Sequence, residues 1–221
     1  MTTPLLPALG VILPSSNRVV ERATEARLAG RADACYARVP YRGMLRGAGY
    51  DEAVFLNAAD LLAEAGVAAL CWNATRGAAL GFIPDEDLCR AVAARTGLPM
   101  VTTALAARDR MHREGFRRVG LVVQGGADEA ALVAGRFAKA GIGIGATAHL
   151  GITENRDAAG VAPARLAAAA WEVSEGADAV LIWSTNLPGW RLPATLAGVP
   201  LLDSTGLGTQ ALLEAAGLAC A

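Results

Sequence analysis

The sequence holds little of what marks several large functional classes. It has one lysine, Lys139, and its arginines are scattered among acids for a net charge of -1. Nucleic-acid binding needs clustered cations to neutralise phosphates, so no nucleic-acid partner is expected. Four cysteines, Cys35, Cys71, Cys89 and Cys220, lie far apart without a CxxC pair, and neither a zinc site nor a disulfide framework is indicated. Cys35 and Cys71 fall in apolar runs and are read as small buried hydrophobes. No stretch reaches the roughly 20 apolar residues of a membrane span, so no membrane partner is expected. Met1 to Leu9 carries prolines and no basic region, unlike a secretory signal, and the cytoplasm is the expected location. Of the two histidines, His112 lies mid-helix with Arg110 and Arg113, and His149 ends a strand without a matching serine, cysteine or acid nearby in sequence.

What is present is apolar mass and repetition. With 221 residues, 53% hydrophobic and 19% charged, the chain can bury one large core or two modest ones. Four short apolar strands, Gly10 to Leu13, Ala34 to Val39, Val67 to Trp72 and Met100 to Thr102, are matched by Val119 to Val123, Ile144 to His149, Ala179 to Trp183 and Leu201 to Leu202. The first two intervals, about 24 and then about 34 residues, recur in both series as an internal repeat would require.

Between the strands lie helical patterns. Pro14-Ser15-Ser16-Asn17 supplies caps before the apolar stripe Val19, Val20, Ala23 and Leu28. Further helices are expected over Asp51 to Ala65, from Pro84-Asp85-Glu86 to near Gly97, over Ala104 to Glu114, Glu129 to Ala140, Ala164 to Glu175 and Thr209 to Ala216. Alternation of strand and helix predicts an α/β fold with parallel sheets, in two lobes facing a shared cleft. The first lobe would comprise 1–103 plus 206–221 and the second 104–205. Glycines at 43, 47 and 49 mark Arg38 to Tyr50 as a candidate lid.

Ligands of open parallel sheets sit beyond the carboxyl ends of the strands. That rule selects Asn17, Ala74 to Gly77, Gly125, Asn155 and Ser184 to Asn186. Thr75 and Thr185 either hold an oxyanion with their hydroxyls and amides or cap helices. Arg76 is either a carboxylate clamp or a solvated cation. Trp72, Trp183 and Trp190 either wall a pocket or fill the core. Asp203-Ser204-Thr205 either orients Ser184 or caps the last helix, with capping the favoured reading.

The run Gly10-Val11-Ile12-Leu13-Pro14-Ser15-Ser16-Asn17, followed by Val20-Glu21, resembles the opening of the maleate cis-trans isomerase and arylmalonate decarboxylase family of the aspartate/glutamate racemase superfamily. Ser184 to Leu187 is similar to that family's Cys-Thr-Asn-Leu segment. Gly66-Val67-Ala68, Thr96-Gly97-Leu98-Pro99, Arg117-Arg118-Val119-Gly120-Leu121 and Gly151-Ile152-Thr153-Glu154-Asn155 follow in the family's order. The resemblance implies two Rossmann-like lobes related by pseudo-twofold symmetry, an active site in the cleft, and neither metal nor organic cofactor.

The departures bear on chemistry. Family members place cysteines at the ends of the third strands, where this chain has Ala74 and Ser184, and an aromatic hydroxyl where it has Gly125. Asn17 and Asn155 match family carboxylate binders. A hydroxyl is a far weaker acid than a thiol, whose ordinary pKa is about 8.5. The resemblance therefore implies a carboxylate-binding frame without the two-thiol chemistry. Three functions follow as expectations. The first is a cofactor-independent lyase or isomerase on a small carboxylate, with Ser184 and Thr75 catalytic and Asn17, Ala74, Arg76, Gly125, Asn155 and Thr185 binding substrate. The others are an amide or imide hydrolase using Ser184 or water, and a non-catalytic carboxylate binder. Replacing Asn17 or Asn155 by alanine is expected to cost about 1 to 3 kcal/mol of ligand binding, with little effect on folding. A gap in the third strand would instead make Cys71 the thiol. A homo-oligomer and a monomer are equally open.

Overall fold

The computed structural model describes residues 5–218. Cys220, Met1 to Pro4 and the last three residues of the expected first lobe lie outside the described residues.

The chain runs β1 (Ala8–Pro14), α1 (Val20–Leu28), β2 (Asp33–Val39), β3 (Leu45–Arg46), β4 (Gly49–Tyr50), α2 (Glu52–Glu64), β5 (Leu70–Trp72), α3 (Arg76–Leu80), α4 (Ile83–Thr96), β6 (Met100–Thr102) and α5 (Thr103–Arg113). It continues with β7 (Val119–Val123), α6 (Ala127–Lys139), β8 (Ile144–His149), α7 (Pro163–Glu172), β9 (Ala179–Trp183), β10 (Thr195–Leu196), β11 (Val199–Asp203) and α8 (Ser204–Ala215). Single 3-10 turns lie at Asn155–Gly160 and Gly189–Arg191.

The repeat is visible in the topology. The first sheet has the order β2-β1-β5-β6 and the second β10-β11-β9-β7-β8. In both, the first and third strands of the series are neighbours, the second lies outside the first, and the fourth lies outside the third. Every pairing among these eight strands is parallel. β5, β7 and β9 are buried along their whole length, as strands covered by helices on both faces must be, which is why they read as unbroken apolar runs. The expected α/β class with two parallel sheets is therefore the observed one, with β10 added antiparallel at the edge of the second sheet.

The connecting helices exchange places. α5 follows the first sheet, yet its Ala104, Ala107 and Met111 pack with Val119 and Leu121 of the second. α8 follows the second sheet, and its Leu212 and Leu213 pack with Leu9 and Val11 of the first.

Several boundaries differ from expectation. α8 begins at Ser204 and not near Thr209: the Asp203 carboxylate accepts the Gly206 N–H at 2.8 Å and caps the helix there, as the favoured reading of Asp203-Ser204-Thr205 has it. α6 starts at Ala127, with Gly126 and not Asp128 at its cap. α3 follows Thr75, a candidate cap, but lies outside the expected helix ranges. The segment Arg38 to Tyr50 is only partly a loop: β2 continues to Val39, β3 and β4 form a hairpin, and Met44 and Tyr50 are buried. The Tyr50 hydroxyl donates to Asp85 and accepts from the Trp72 indole, both at 3.1 Å. A segment anchored this firmly is not a free lid.

Candidate active site

In each sheet the chain leaves the first and third strands of its series in different directions, creating the crevice where open α/β sheets bind ligands. The pairings Ile12 with Trp72 and Val123 with Trp183 bring the two strand ends together in each lobe. A cavity of about 500 Å³ lies where the two crevices face each other. Asn17, Ala74, Thr75, Arg76, Gly125, Asn155, Ser184 and Thr185 all line it. So do Tyr41, Met44, Leu132, Val133, Ile152 and Trp183, which give it an apolar wall.

Ser184 is buried at the end of β9. Its hydroxyl donates to Gln124 Oε1 at 2.8 Å and accepts the Asn186 N–H at 3.1 Å. Gln124 follows β7, and sequence reasoning missed it. The pairing of β7 with β9 is what sets it opposite Ser184. A carboxamide oxygen accepts a hydrogen bond but does not take the proton, so Ser184 is oriented without being activated as a nucleophile.

Thr75 precedes α3, and its side chain makes no capping bond there. Its hydroxyl is thus not consumed by the helix, and the leading N–H groups of a helix lack intrahelical partners. Thr185 departs from the expected strand-to-helix arrangement. It sits in a tight turn closed by the Leu187 N–H on Ser184 O at 3.1 Å, its carbonyl accepts the Thr205 hydroxyl at 3.2 Å, and its Oγ1 accepts the Asn17 amide at 3.3 Å.

Both asparagines also do structural work, which for Asn17 is the capping role expected of Pro14-Ser15-Ser16-Asn17 and for Asn155 was not legible in the sequence. Asn17 Oδ1 accepts the Val19 and Val20 N–H groups, both at 2.9 Å, and so caps α1. The Asn155 amide donates to Ser16 Oγ at 2.8 Å, across the cleft. Asn186, buried, takes the Arg18 N–H at 2.8 Å and donates to the Asn155 carbonyl. The expectation that replacing Asn17 leaves folding nearly unaffected is corrected here, because its carboxamide holds a helix end.

Charge enters from three lining residues, Arg76, Asp128 and Glu129. Arg76 is exposed at the mouth. Glu129 is half-buried and turns back onto Gly125, so that its Oε2 lies 2.0 Å from where a Cβ on residue 125 would stand. Only glycine leaves room for it. Burial raises the Glu129 carboxyl above its ordinary range, while the Gly125 N–H and the Arg76 guanidinium pull the other way.

Behind Arg76, Gly77 leaves similar room for Asp85, whose Oδ2 lies 1.8 Å from the corresponding Cβ position. Asp85, in the first turn of α4, is fully buried. Burial pushes its carboxyl up to about 6, against the Thr102 and Tyr50 hydroxyls. It lies behind the cavity and does not line it.

Other candidates are kept away. Cys71 is completely buried, its Sγ directed at the Gly208 carbonyl at 3.5 Å, and burial pushes its thiol far up. No cysteine among the described residues lines the cavity. Of the three tryptophans only Trp183 lines it. Trp72 packs edge-on against Phe55 and Tyr50 in the core, and Trp190 borders a separate cavity. Asp203 serves as a helix cap, and neither it nor either histidine reaches the cavity. Among the described residues no group of three or more His, Cys, Asp and Glu could hold a metal ion, and no helix is long and apolar enough to cross a membrane.

This architecture is shared with known structures. The maleate isomerase Iso of Pseudomonas putida superposes with a TM-score of 0.78 at 20% identity, over 96% of this chain and 94% of that one. The fold is that of maleate isomerase and arylmalonate decarboxylase. Unliganded arylmalonate decarboxylase matches with a TM-score of 0.77 at 24% identity, over 97% and 94% of the two chains. A cysteine-to-serine variant of the Nocardia farcinica maleate cis-trans isomerase, carrying a covalently bound succinylcysteine intermediate, matches at 0.76 and 18% identity, over 96% and 94%. No protein-family model and no curated protein matches the sequence. The maleate isomerase and arylmalonate decarboxylase fold is thus what the resemblance in the sequence implied.

Proposed function

We propose that this chain is a cofactor-independent lyase or isomerase acting on a small carboxylate, and that decarboxylation of a malonate-like acid with an apolar substituent is the reaction its cavity suits best. The observation that carries the reading is a divided cavity. Asn17, Thr75, Ser184 and Thr185 offer amide and hydroxyl groups at the strand ends, and Met44, Leu132, Val133, Ile152 and Trp183 offer an apolar wall. Loss of carbon dioxide leaves an electron pair that the remaining carboxylate accepts as an enediolate. Preorganised donors stabilise that charge most where water is excluded. Such a reaction needs no thiol to break the carbon–carbon bond, which fits a cavity lined by Ala74 and Ser184 where the sequence resemblance implies cysteines.

In this reading Ser184 and Thr75 act on the developing charge, while Asn17, Asn155, Thr185, Arg76 and the backbone at Ala74 and Gly125 hold the substrate. The lobes that clasp it comprise 1–103 with 206–221, and 104–205. The hydrolase alternative is weakened by Gln124, an acceptor that cannot serve as the base for Ser184.

Incubation with aryl- and alkylmalonates, and separately with maleate, followed by proton NMR, tests the proposal. Consumption of a malonate with release of carbon dioxide is expected. With substrate bound, the Ser184 hydroxyl turns its one hydrogen from Gln124 Oε1 to the developing oxyanion, so Ser184→Ala should lower kcat on the order of 100-fold or more, the usual loss of one oxyanion donor, and iodoacetamide should leave turnover unchanged. Conversion of maleate to fumarate would favour isomerisation. Binding of these acids without turnover would identify a carboxylate binder, and cleavage of an amide or imide with the acids untouched would identify a hydrolase.

A further inference from the structure

Decarboxylation leaves a carbanion that must be protonated, and few groups around this cavity can supply a proton. Alcohols and carboxamides are too weakly acidic at neutral pH, an arginine stays protonated, and the Tyr41 phenol is exposed at the edge of the cavity. The charged lining side chains are Arg76, Asp128 and Glu129, of which Asp128 is exposed. Glu129 is held inward. Its Oε2 occupies the volume that a side chain on residue 125 would take, and Gln124, one residue earlier, binds the Ser184 hydroxyl at 2.8 Å. The carboxyl group thus stands beside Gly125, where the chain leaves β7, in the cavity that Ser184 and Gln124 also line.

We propose that Glu129 is the acid of this site, delivering the proton to the α-carbon after carbon dioxide has left. The assignment rests on the decarboxylase reading above. The carbon–carbon bond breaks with its electron pair moving into the remaining carboxylate as an enediolate. The Glu129 O–H bond then breaks, the proton forms the new C–H bond, and Glu129 is left as carboxylate to be reprotonated by solvent. Arg76, from α3, faces that carboxylate and offsets its charge. The other titratable groups that line the cavity are Asp128, on the same helix, and Tyr41, from the segment after β2. A bound dianion adds like charge beside Glu129 and favours its protonated form, so ligand binding should draw a proton onto it.

The test uses phenylsuccinate, a dianion that cannot lose carbon dioxide by this route, in calorimetric titrations near pH 7.5 with buffers of different ionisation enthalpy. The parent should take up protons on binding and Glu129→Gln should not. With an arylmalonate, Glu129→Gln should bind within about threefold of the parent, lose kcat on the order of 100-fold or more, and lose the fall in kcat at high pH. Equal proton uptake by both proteins, or turnover of Glu129→Gln within threefold of the parent with an unchanged pH profile, overturns the assignment. If the parent turns over no malonate, the decarboxylase reading falls. Proton uptake confined to the parent then still identifies Glu129 as the acid of the site, and its absence excludes it.

Discussion

Asn17 shows how one side chain at a strand end serves two purposes. Its carbonyl oxygen takes the Val19 and Val20 N–H groups at the start of α1, and its amide reaches Thr185 across the cleft at 3.3 Å. An amide nitrogen has two hydrogens, so one is available to a ligand carboxylate. Asn17→Ala should therefore lose about 1 kcal/mol of folding stability, as for a lost helix cap, together with about 1.5 to 3 kcal/mol of carboxylate binding. Asn17→Asp should keep the cap and lose the binding. Urea titrations and calorimetry with phenylsuccinate separate the two effects. If Asn17→Asp binds as tightly as the parent, Asn17 does not hold the carboxylate.

At the scale of elements, the hairpin β3–β4, the strand β5 and the helices α3 and α4 meet on one buried carboxyl group. Asp85 fits beside Gly77, receives the Tyr50 hydroxyl, and through Tyr50 is joined to the Trp72 indole. The folded protein holds the Asp85 carboxyl near 6 and the unfolded chain near 3.8. An acid whose pKa is raised by folding binds its proton more tightly in the folded state, so its stabilising effect is full below about 4 and lost as pH rises through about 6. At about 1.4 kcal/mol per pH unit the loss is on the order of 3 kcal/mol. Asp85→Asn cannot ionise. Denaturant titrations at pH 4 and 7.5 should show the parent losing stability relative to the variant by that order, and parallel behaviour of the two proteins would show that Asp85 does not carry the effect.

At the scale of the whole molecule, the lobes are joined by exchanged helices and by polar ties at the cleft. Asn186 is central to the ties. It is buried in the turn after β9, accepts from Arg18 of the first lobe and donates to the Asn155 carbonyl. Asn186→Ala would leave a backbone donor and a backbone acceptor unpaired, at about 1 to 3 kcal/mol each when buried. For a chain of this size the melting temperature should fall by roughly 5 to 10 °C. A calorimetric melt within 1 °C of the parent would mean that the ties are replaced by water at little cost.

Much of this was legible along the chain, and the reason is periodicity. β7 and β9 begin and end where the apolar runs do, because strands buried on both faces need unbroken apolar sequence, and the half-exposed β8 also has the expected bounds. The duplicated spacing then implied two equivalent crevices, and the selected residues after the strands line one cavity, except Gly77 and Asn186, which do not reach it. Short elements were less visible. α3 is too short for a periodic pattern; the Asp203 cap of α8 was legible, because a cap acts on its own next turn. The partners of the site residues were not legible at all. Gln124 meets Ser184 only because β7 pairs with β9, Asn17 meets Thr185 only across the cleft, and Glu129 reaches the cavity only because Gly125 leaves its side of the strand end empty. The sequence by itself determined which residues stand at the strand ends, since burial patterns are local. Which of them touch, and which carboxyl groups are pressed out of water, was decided by tertiary structure, because those properties depend on groups distant in the chain that only folding brings into contact.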